Sequence, residues 1–220
     1  MSLMRSITFD EVEVPESAFT LEGFREWVAS MGEHGPRVHF WRGRIHLEMS
    51  PQNYKGHEPI VHAVDECLGR LARELDRGRF FFPPSWITHP TGLSTEPDGF
   101  LVLWESFEKG LVQISPERES ELLGRPDLAL AVVSPSSRKK DLRDLVKGYA
   151  AAGTSEYWIV DVRKKGAFVF RILVLDPDGA YVDQETDPDG WIASPLWGRS
   201  FRLERFVDRA GLDDYRLVVR

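Results

Sequence analysis

Two short, unbroken apolar runs, residues 100–104 and 128–133, each follow a Pro-Asp pair, Pro97-Asp98 and Pro126-Asp127. Runs this short and this rich in β-forming residues have the size of strands buried on both faces, which calls for a sheet covered by helices. Residues 59–76 offer one such cover. Their apolar positions Ile60, Val64, Leu68, Leu71 and Leu75 recur every three or four residues and describe one face of a long helix. Residues 141–152 offer another, with Leu142, Leu145, Val146 and Tyr149 on one face and Gly153 in the usual stop position.

The remaining elements are shorter. Thr20 caps a predicted amphipathic helix over 20–31, ended by Gly32 and the Gly35-Pro36 pair. Val38 and Phe40, then Ile45, Leu47 and Met49, alternate around Arg42-Gly43 as in a hairpin that Ser50-Pro51 stops. Residues 80–82 and 86–88 flank Pro83-Pro84 as two extended pieces at an edge or bend. Residues 105–125 read as a charged connection carrying at most one short strand or helical turn. Residues 157–160 form a compact strand, and 167–175 with 180–184 form a hairpin turned at Asp176-Gly179. The expected organisation is an N-terminal arm, 1–19, and a single α/β domain, 20–220.

Several function classes are disfavoured by composition. Cys67 is the only cysteine, so neither an internal disulfide nor a thiolate zinc cluster can form within the chain. It falls on the apolar face of the 59–76 helix and reads as a small buried thiol. No run approaches the roughly 20 apolar residues of a membrane span, and a cytoplasmic location is expected. None of the six histidines has the i, i+4 spacing of a helical zinc site. Ser134-Pro135-Ser136 lacks a nucleophile elbow, and no phosphate-cradling glycine loop occurs. Trp158, inside an apolar strand, reads as core.

Formal net charge is -7, so contact with phosphate requires a local basic patch. The most basic window, 138–147, carries Arg138, Lys139, Lys140, Arg143 and Lys147 against Asp141 and Asp144 and is the expected nucleic-acid surface. Arg37, Arg42 and Arg44 form a smaller basic patch at the hairpin. Asp98, just before the buried run 100–104, projects from a strand end, where rigid backbone and burial can tune a carboxylate for metal-assisted phosphodiester hydrolysis.

The text around Asp98 carries a resemblance. Gly43, Met49-Ser50-Pro51, His57, Glu96-Pro97-Asp98, Pro126-Asp127-Leu128, Val132-Val133-Ser134-Pro135-Ser136, Asp141, Tyr149, Gly153 and Glu156-Tyr157-Trp158-Ile159-Val160-Asp161 span roughly 40–165. Together they resemble the Uma-type restriction endonucleases of the PD-(D/E)XK nuclease superfamily. The resemblance implies a restriction-endonuclease-like core, a central mixed β-sheet flanked by α-helices, and DNA cleavage with Mg2+ or Mn2+. It maps a metal-binding aspartate onto Asp98.

Three other family positions are altered. The glutamate expected four residues after the second Pro-Asp aspartate is Ala131, the lysine expected in the following helix is Leu145, and the glutamate expected four residues before the hairpin glycine is His39. Asp127 is entered as a second metal-ligand candidate, although about 13 Å of strand separates it from Ala131. Lys139 and Lys140, ahead of the helix, are the candidates for the catalytic cation, while Lys147 is turned about 200° from Leu145 and points to solvent. Glu48 and His57 are candidate replacements for the missing ligands. A homodimer is expected if both DNA strands are cut. The alternative is a non-catalytic nuclease-fold protein that binds nucleic acid or a protein partner.

Overall fold

In the computed structural model, which describes residues 6–9, 12–32, 36–48, 56–163 and 167–220, the two apolar runs form the middle of a mixed sheet. Its strands are β5 (Gly78–Phe81), β8 (Gly99–Leu103), β11 (Leu128–Val133), β12 (Glu156–Asp161), β13 (Val169–Leu175) and β14 (Tyr181–Asp183), in the spatial order β14-β13-β12-β11-β8-β5. Only β11 and β12 run parallel. The strand after Pro83-Pro84 lies elsewhere, in a second six-stranded sheet. That sheet contains β3 (Arg37–Trp41), β4 (Arg44–Glu48), β6 (Trp86–His89), β7 (Leu93–Thr95), β9 (Val112–Ile114) and β10 (Glu121–Gly124), in the order β4-β3-β7-β6-β10-β9. Segment 105–125 is therefore richer than its charge suggests. It holds β9, β10 and the end of helix α3 (Trp104–Glu108) rather than a single turn or strand.

Helices cover the mixed sheet from both sides. Helix α2 (His57–Glu74) buries Ile60, Val64, Cys67, Leu68 and Leu71 in one cluster with Leu101, Leu130, Trp158 and Val160. Leu75, expected on that face, lies beyond the helix end and is 38% exposed. Burial pushes the Cys67 thiol up to about 11, which leaves it inert at neutral pH. On the opposite face, helix α4 (Leu145–Ala152) packs Leu145, Tyr149 and Ala152 with Ala129, Ala131, Tyr157 and Ile159. It stops at Gly153, whose φ of 82° suits glycine. The helix predicted from residue 141 starts as a wider π-type turn over Lys140–Asp144, and Lys140, Asp141, Asp144 and Leu145 are all buried.

The hairpin β3–β4 follows the expected alternation. Phe40 stands opposite Ile45 and Val38 opposite Leu47. These four pack with Phe24 and Trp27 of helix α1 (Leu21–Met31). Arg42 and Gly43 both have positive φ, the twist that a two-residue hairpin turn requires. The Thr20 hydroxyl caps α1 by accepting from the Gly23 amide at 3.1 Å. From the expected arm, the two-stranded pair β1 (Ser6–Phe9) and β2 (Val12–Pro15) leads into a short 3-10 turn, and Val14 and Ala18 join the α1 cluster. Gly35, Met49, Ser50 and Pro51 lie outside the described residues.

A third layer was not foreseen. β15 (Ile192–Ser194), β16 (Arg199–Val207) and β17 (Asp213–Val219) form an antiparallel sheet whose Phe201, Leu203 and Leu217 join the α2 cluster. Glu156 fastens it to the mixed sheet. Its buried carboxylate accepts from Trp158 Nε1 at 2.8 Å, from Ser194 Oγ at 2.7 Å and from the Leu196 amide at 2.8 Å. Glu156→Ala is expected to lower the free energy of unfolding in urea by about 2 kcal/mol, because three donors, two of them buried, lose their acceptor together.

Candidate active site

Alternation places Arg37 and His39 on the face of β3 opposite Val38 and Phe40, with His46 and Glu48 beside them on β4. A polar strand face normally meets water. Here it turns inward, so His39 is 0% exposed and Glu48 reaches a buried cluster of charge.

Asp98 is fixed by backbone as well as by side chains. It ends the link from β7 to β8 that connects the two sheets. Its amide donates to the Leu130 carbonyl at 3.1 Å, and its Oδ2 accepts from the Val132 amide at 2.7 Å. The pairing of β8 with β11 stops at Gly99–Leu130, so the carboxylate extends the ladder one step beyond the last strand residue. Its other oxygen, Oδ1, lies 3.0 Å from Arg37 Nη1 and 3.1 Å from His57 Nε2 at the start of α2.

The Arg37 guanidinium is shared. Besides Asp98 it reaches Glu96 Oε1 at 3.2 Å and Glu48 Oε2 at 3.6 Å. Glu48 Oε1 stands 3.2 Å from Lys140 Nζ, which in turn lies 2.7 Å from Asp141 Oδ1. Burial alone would raise the Asp98 carboxyl. The His57 hydrogen bond and the Arg37 and Lys140 charges outweigh it and hold Asp98 well below the usual carboxylate range. Glu48 is held low in the same way, against its own burial, by His39, Lys140 and Arg37. For Glu96 and Asp141, burial prevails and raises the carboxyl. Burial opposes the Lys140 charge, but Asp141, Glu48 and Asp98 keep that ammonium protonated. His39 is pushed down to about 3 by burial and by Lys140, so its ring is neutral; its Nδ1 pairs with Thr95 Oγ1 at 2.8 Å.

The residues picked from sequence separate sharply. Lys140 enters the cluster at 6% exposed, while Lys139 is exposed on the surface together with Arg138, Arg143 and Lys147. Asp127 does not join Asp98. It sits at the other end of β11, where Oδ2 accepts from the Leu103 amide at 2.8 Å and Oδ1 from the Ser106 hydroxyl at 2.9 Å. Its oxygens tie β8 and α3 together, so the expected second metal ligand is a structural residue. Arg37, grouped by sequence with the hairpin's surface arginines, belongs to the buried cluster instead. Arg44 does lie beside the basic window, since it and Arg143 share Asp144 at 3.9 and 2.9 Å. Beside Lys140 and Glu48 lies a cleft of about 230 Å3 whose walls also include His46 and Ser137.

A divalent ion of the magnesium class takes hard oxygen donors, and Glu48, Glu96 and Asp98 supply that chemistry. They converge on a cation already, the Arg37 guanidinium. With it in place, no three His, Cys, Asp or Glu among the described residues stand close enough to hold a metal. The donor set thus suits a hard cation, with arginine standing in for one. Ala131 and Leu145, in contrast, lie together in the apolar cluster under α4 and offer no ligand or charge.

The comparisons agree with this arrangement of strands. A crystal structure described as "a putative nuclease belonging to DUF820", from Anabaena variabilis, superposes with a TM-score of 0.58 at 18% identity, over 81% of this chain and 90% of that one. At that identity the likeness establishes the fold. None of the functionally curated proteins matches. The family described as "Putative restriction endonuclease", Uma2, matches residues 21–204, and the chain belongs to that family.

Proposed function

We propose that this protein is a DNA endonuclease that hydrolyses phosphodiester bonds in the cleft between the hairpin β3–β4 and the Lys140–Asp144 turn. One observation carries the reading. Asp98, Glu48 and Lys140, from a sheet-to-sheet link, a hairpin and a helix entry, meet in one buried cluster beside a basic rim. Burying that much charge is costly for a fold, and such clusters concentrate at working sites. Mg2+ or Mn2+, once bound by Asp98 and Glu48, would supply Lewis-acid stabilisation of the phosphate and a water of lowered pKa.

The chain's own groups divide the remaining work. The Lys140 ammonium, kept protonated by its acidic neighbours, donates from Nζ to an oxygen at the cleft and orients it. Glu48, kept ionised, lines the cleft beside it as a ready acceptor, and Asp98, also ionised, stands behind it in the buried cluster, joined to it through Arg37. Arg138, Lys139, Arg143 and Lys147 hold the sugar-phosphate backbone at the rim by charge, so binding weakens steeply as salt rises. A homodimer would place two such clefts on the two strands of a duplex.

A specific observation favours a second reading, in which the fold binds nucleic acid without cutting it: the guanidinium fills the cation seat, and Ala131 and Leu145 replace charged residues of related nucleases. Plasmid nicking in Mg2+ and in Mn2+ separates the two. Lys140→Met and Asp98→Asn are each expected to slow nicking about a hundredfold or more. If the wild type binds a labelled duplex in a salt-sensitive way yet nicks no faster than either variant, the binding reading replaces the enzyme.

A further inference from the structure

We infer that the Arg37 guanidinium and a divalent metal ion are alternative occupants of one seat, the space enclosed by Glu48, Glu96 and Asp98, and that Arg37 holds this seat when the protein is metal-free. The inference rests on the reading of the acid cluster as the working site, and it adds that arginine sets the cluster's metal affinity.

The geometry makes joint occupancy untenable. Asp98 Oδ1 and Glu48 Oε2 both face the same nitrogen, Arg37 Nη1, at 3.0 and 3.6 Å, so a metal held by these two carboxylates would meet the guanidinium. Nε of the same side chain lies 3.2 Å from Glu96 Oε1, and Nη2 donates to the Glu96 carbonyl at 3.0 Å. A dication placed among these oxygens would touch the guanidinium, and like charges at that range in a low-dielectric setting repel strongly. The arrangement also explains how four acids, Glu48, Glu96, Asp98 and Asp141, remain folded around only two fixed cations, Arg37 and Lys140. Its side chain is 20% exposed, so the guanidinium borders solvent while its stem stays on β3.

Arg37 therefore acts on affinity through the acids that it neutralises, as a positioning residue. Removing its charge leaves the carboxylates in search of a cation, and a free divalent ion is the one available. Keeping a charge of different shape, as in Arg37→Lys, gives an intermediate state, because an ammonium cannot span three carboxylates with the guanidinium's planar fork.

The test uses the full chain and Mn2+ alone, read by electron paramagnetic resonance of free manganese and by thermal unfolding. Arg37→Gln is expected to bind Mn2+ at least about tenfold more tightly than wild type, and its Tm to rise with added Mn2+. Adding Asp98→Asn to that variant is expected to abolish the gain. Equal or weaker Mn2+ binding by Arg37→Gln overturns the inference, as does a gain that survives Asp98→Asn. If Arg37→Gln does not fold without metal, Arg37→Lys decides: affinity above wild type supports the exchange, and affinity equal to or below it overturns it. The two proposals fail separately. Tighter Mn2+ binding with no nicking by any variant removes the endonuclease and keeps the exchange, whereas Asp98-dependent nicking with no gain in Arg37→Gln does the reverse.

Discussion

Replacing Asp98 with alanine is expected to destabilise the fold by about 4 kcal/mol, the cost of leaving one partner of a buried ion pair uncompensated. Three groups lose their acceptor at once: the Val132 amide, the Arg37 guanidinium and the His57 imidazole. Asp98→Asn is expected to cost less by about 1–3 kcal/mol, the share of the ladder bond, since an amide oxygen still accepts from the Val132 amide although the pair with Arg37 is lost in both variants. Urea unfolding of both variants beside the wild type checks the order; equal losses would mean that the ladder bond contributes nothing.

The pH dependence has a definite sign. Asp98 and Glu48 are held low in the folded protein, so the stability they contribute is fully present above the unfolded carboxylate value of about 4 and is lost as pH falls toward their folded values. Glu96, Asp141 and Glu156 are raised and act in the opposite sense. They take up protons early on acidification, which relieves the crowding of negative charge. His39, His46 and His89 are held neutral by burial, so stability also falls as pH drops through the unfolded histidine value of about 6.5. Unfolding free energy should therefore be highest near neutrality or above it and fall steeply below about pH 4. In Asp98→Asn the acid limb becomes shallower by one proton, about 1.4 kcal/mol per pH unit.

Restoring the family's charged residues one at a time is the second large effect, and it runs against intuition. Ala131→Glu and Leu145→Lys each place a charge in the apolar cluster that holds Trp41, Leu93, Tyr149 and Ile159, where Ala131 is 4% and Leu145 2% exposed. Each single change is expected to destabilise by about 3 kcal/mol or more without adding nicking activity. Together they should lose less than the sum, because glutamate and lysine introduced into the same cluster can pair. A double-mutant cycle in urea is expected to give a favourable coupling of about 1–3 kcal/mol. Strict additivity would mean that the two positions do not meet, and that an apolar pair has not replaced a buried ion pair here.

Much of the scaffold was legible because its signals are local. The spacing of Ile60, Val64, Leu68 and Leu71 gives α2, the short apolar runs give β8 and β11, and Arg42-Gly43 gives the turn of β3–β4. The three-stranded sheet at the C-terminus left little trace, since β15 is three residues long and the long strand β16 ends in exposed Phe206 and Val207, which blur its alternation. Asp98 was found through its sequence surroundings, and Glu48 and His57 as candidate replacements.

Arg37 was missed, and His39 was noted only as a departure from the family, because the polar half of a hairpin's alternation ordinarily means solvent. The signal was there in Arg37, His39, His46 and Glu48 on one strand face, but only the packing of that face against the link carrying Asp98 and the Lys140–Asp144 turn makes it a site. Lys139 and Lys140 were indistinguishable for a related reason. Which of two adjacent lysines enters the cluster is decided by the phase of the wide turn over Lys140–Asp144, and a regular 3.6-residue period does not describe that turn.

Because the Asp98 carboxylate completes a strand ladder, folding alone is enough to select for an acid at that point of the chain. Relatives that have given up cutting would still keep the Pro-Asp pair, and a survey that inferred living enzymes from that pair would overcount them. Residues facing the cation without supporting any backbone, such as Glu48 and Lys140, can drift together once chemistry is abandoned, since each offsets the other's charge, which makes the pair the more truthful marker of activity.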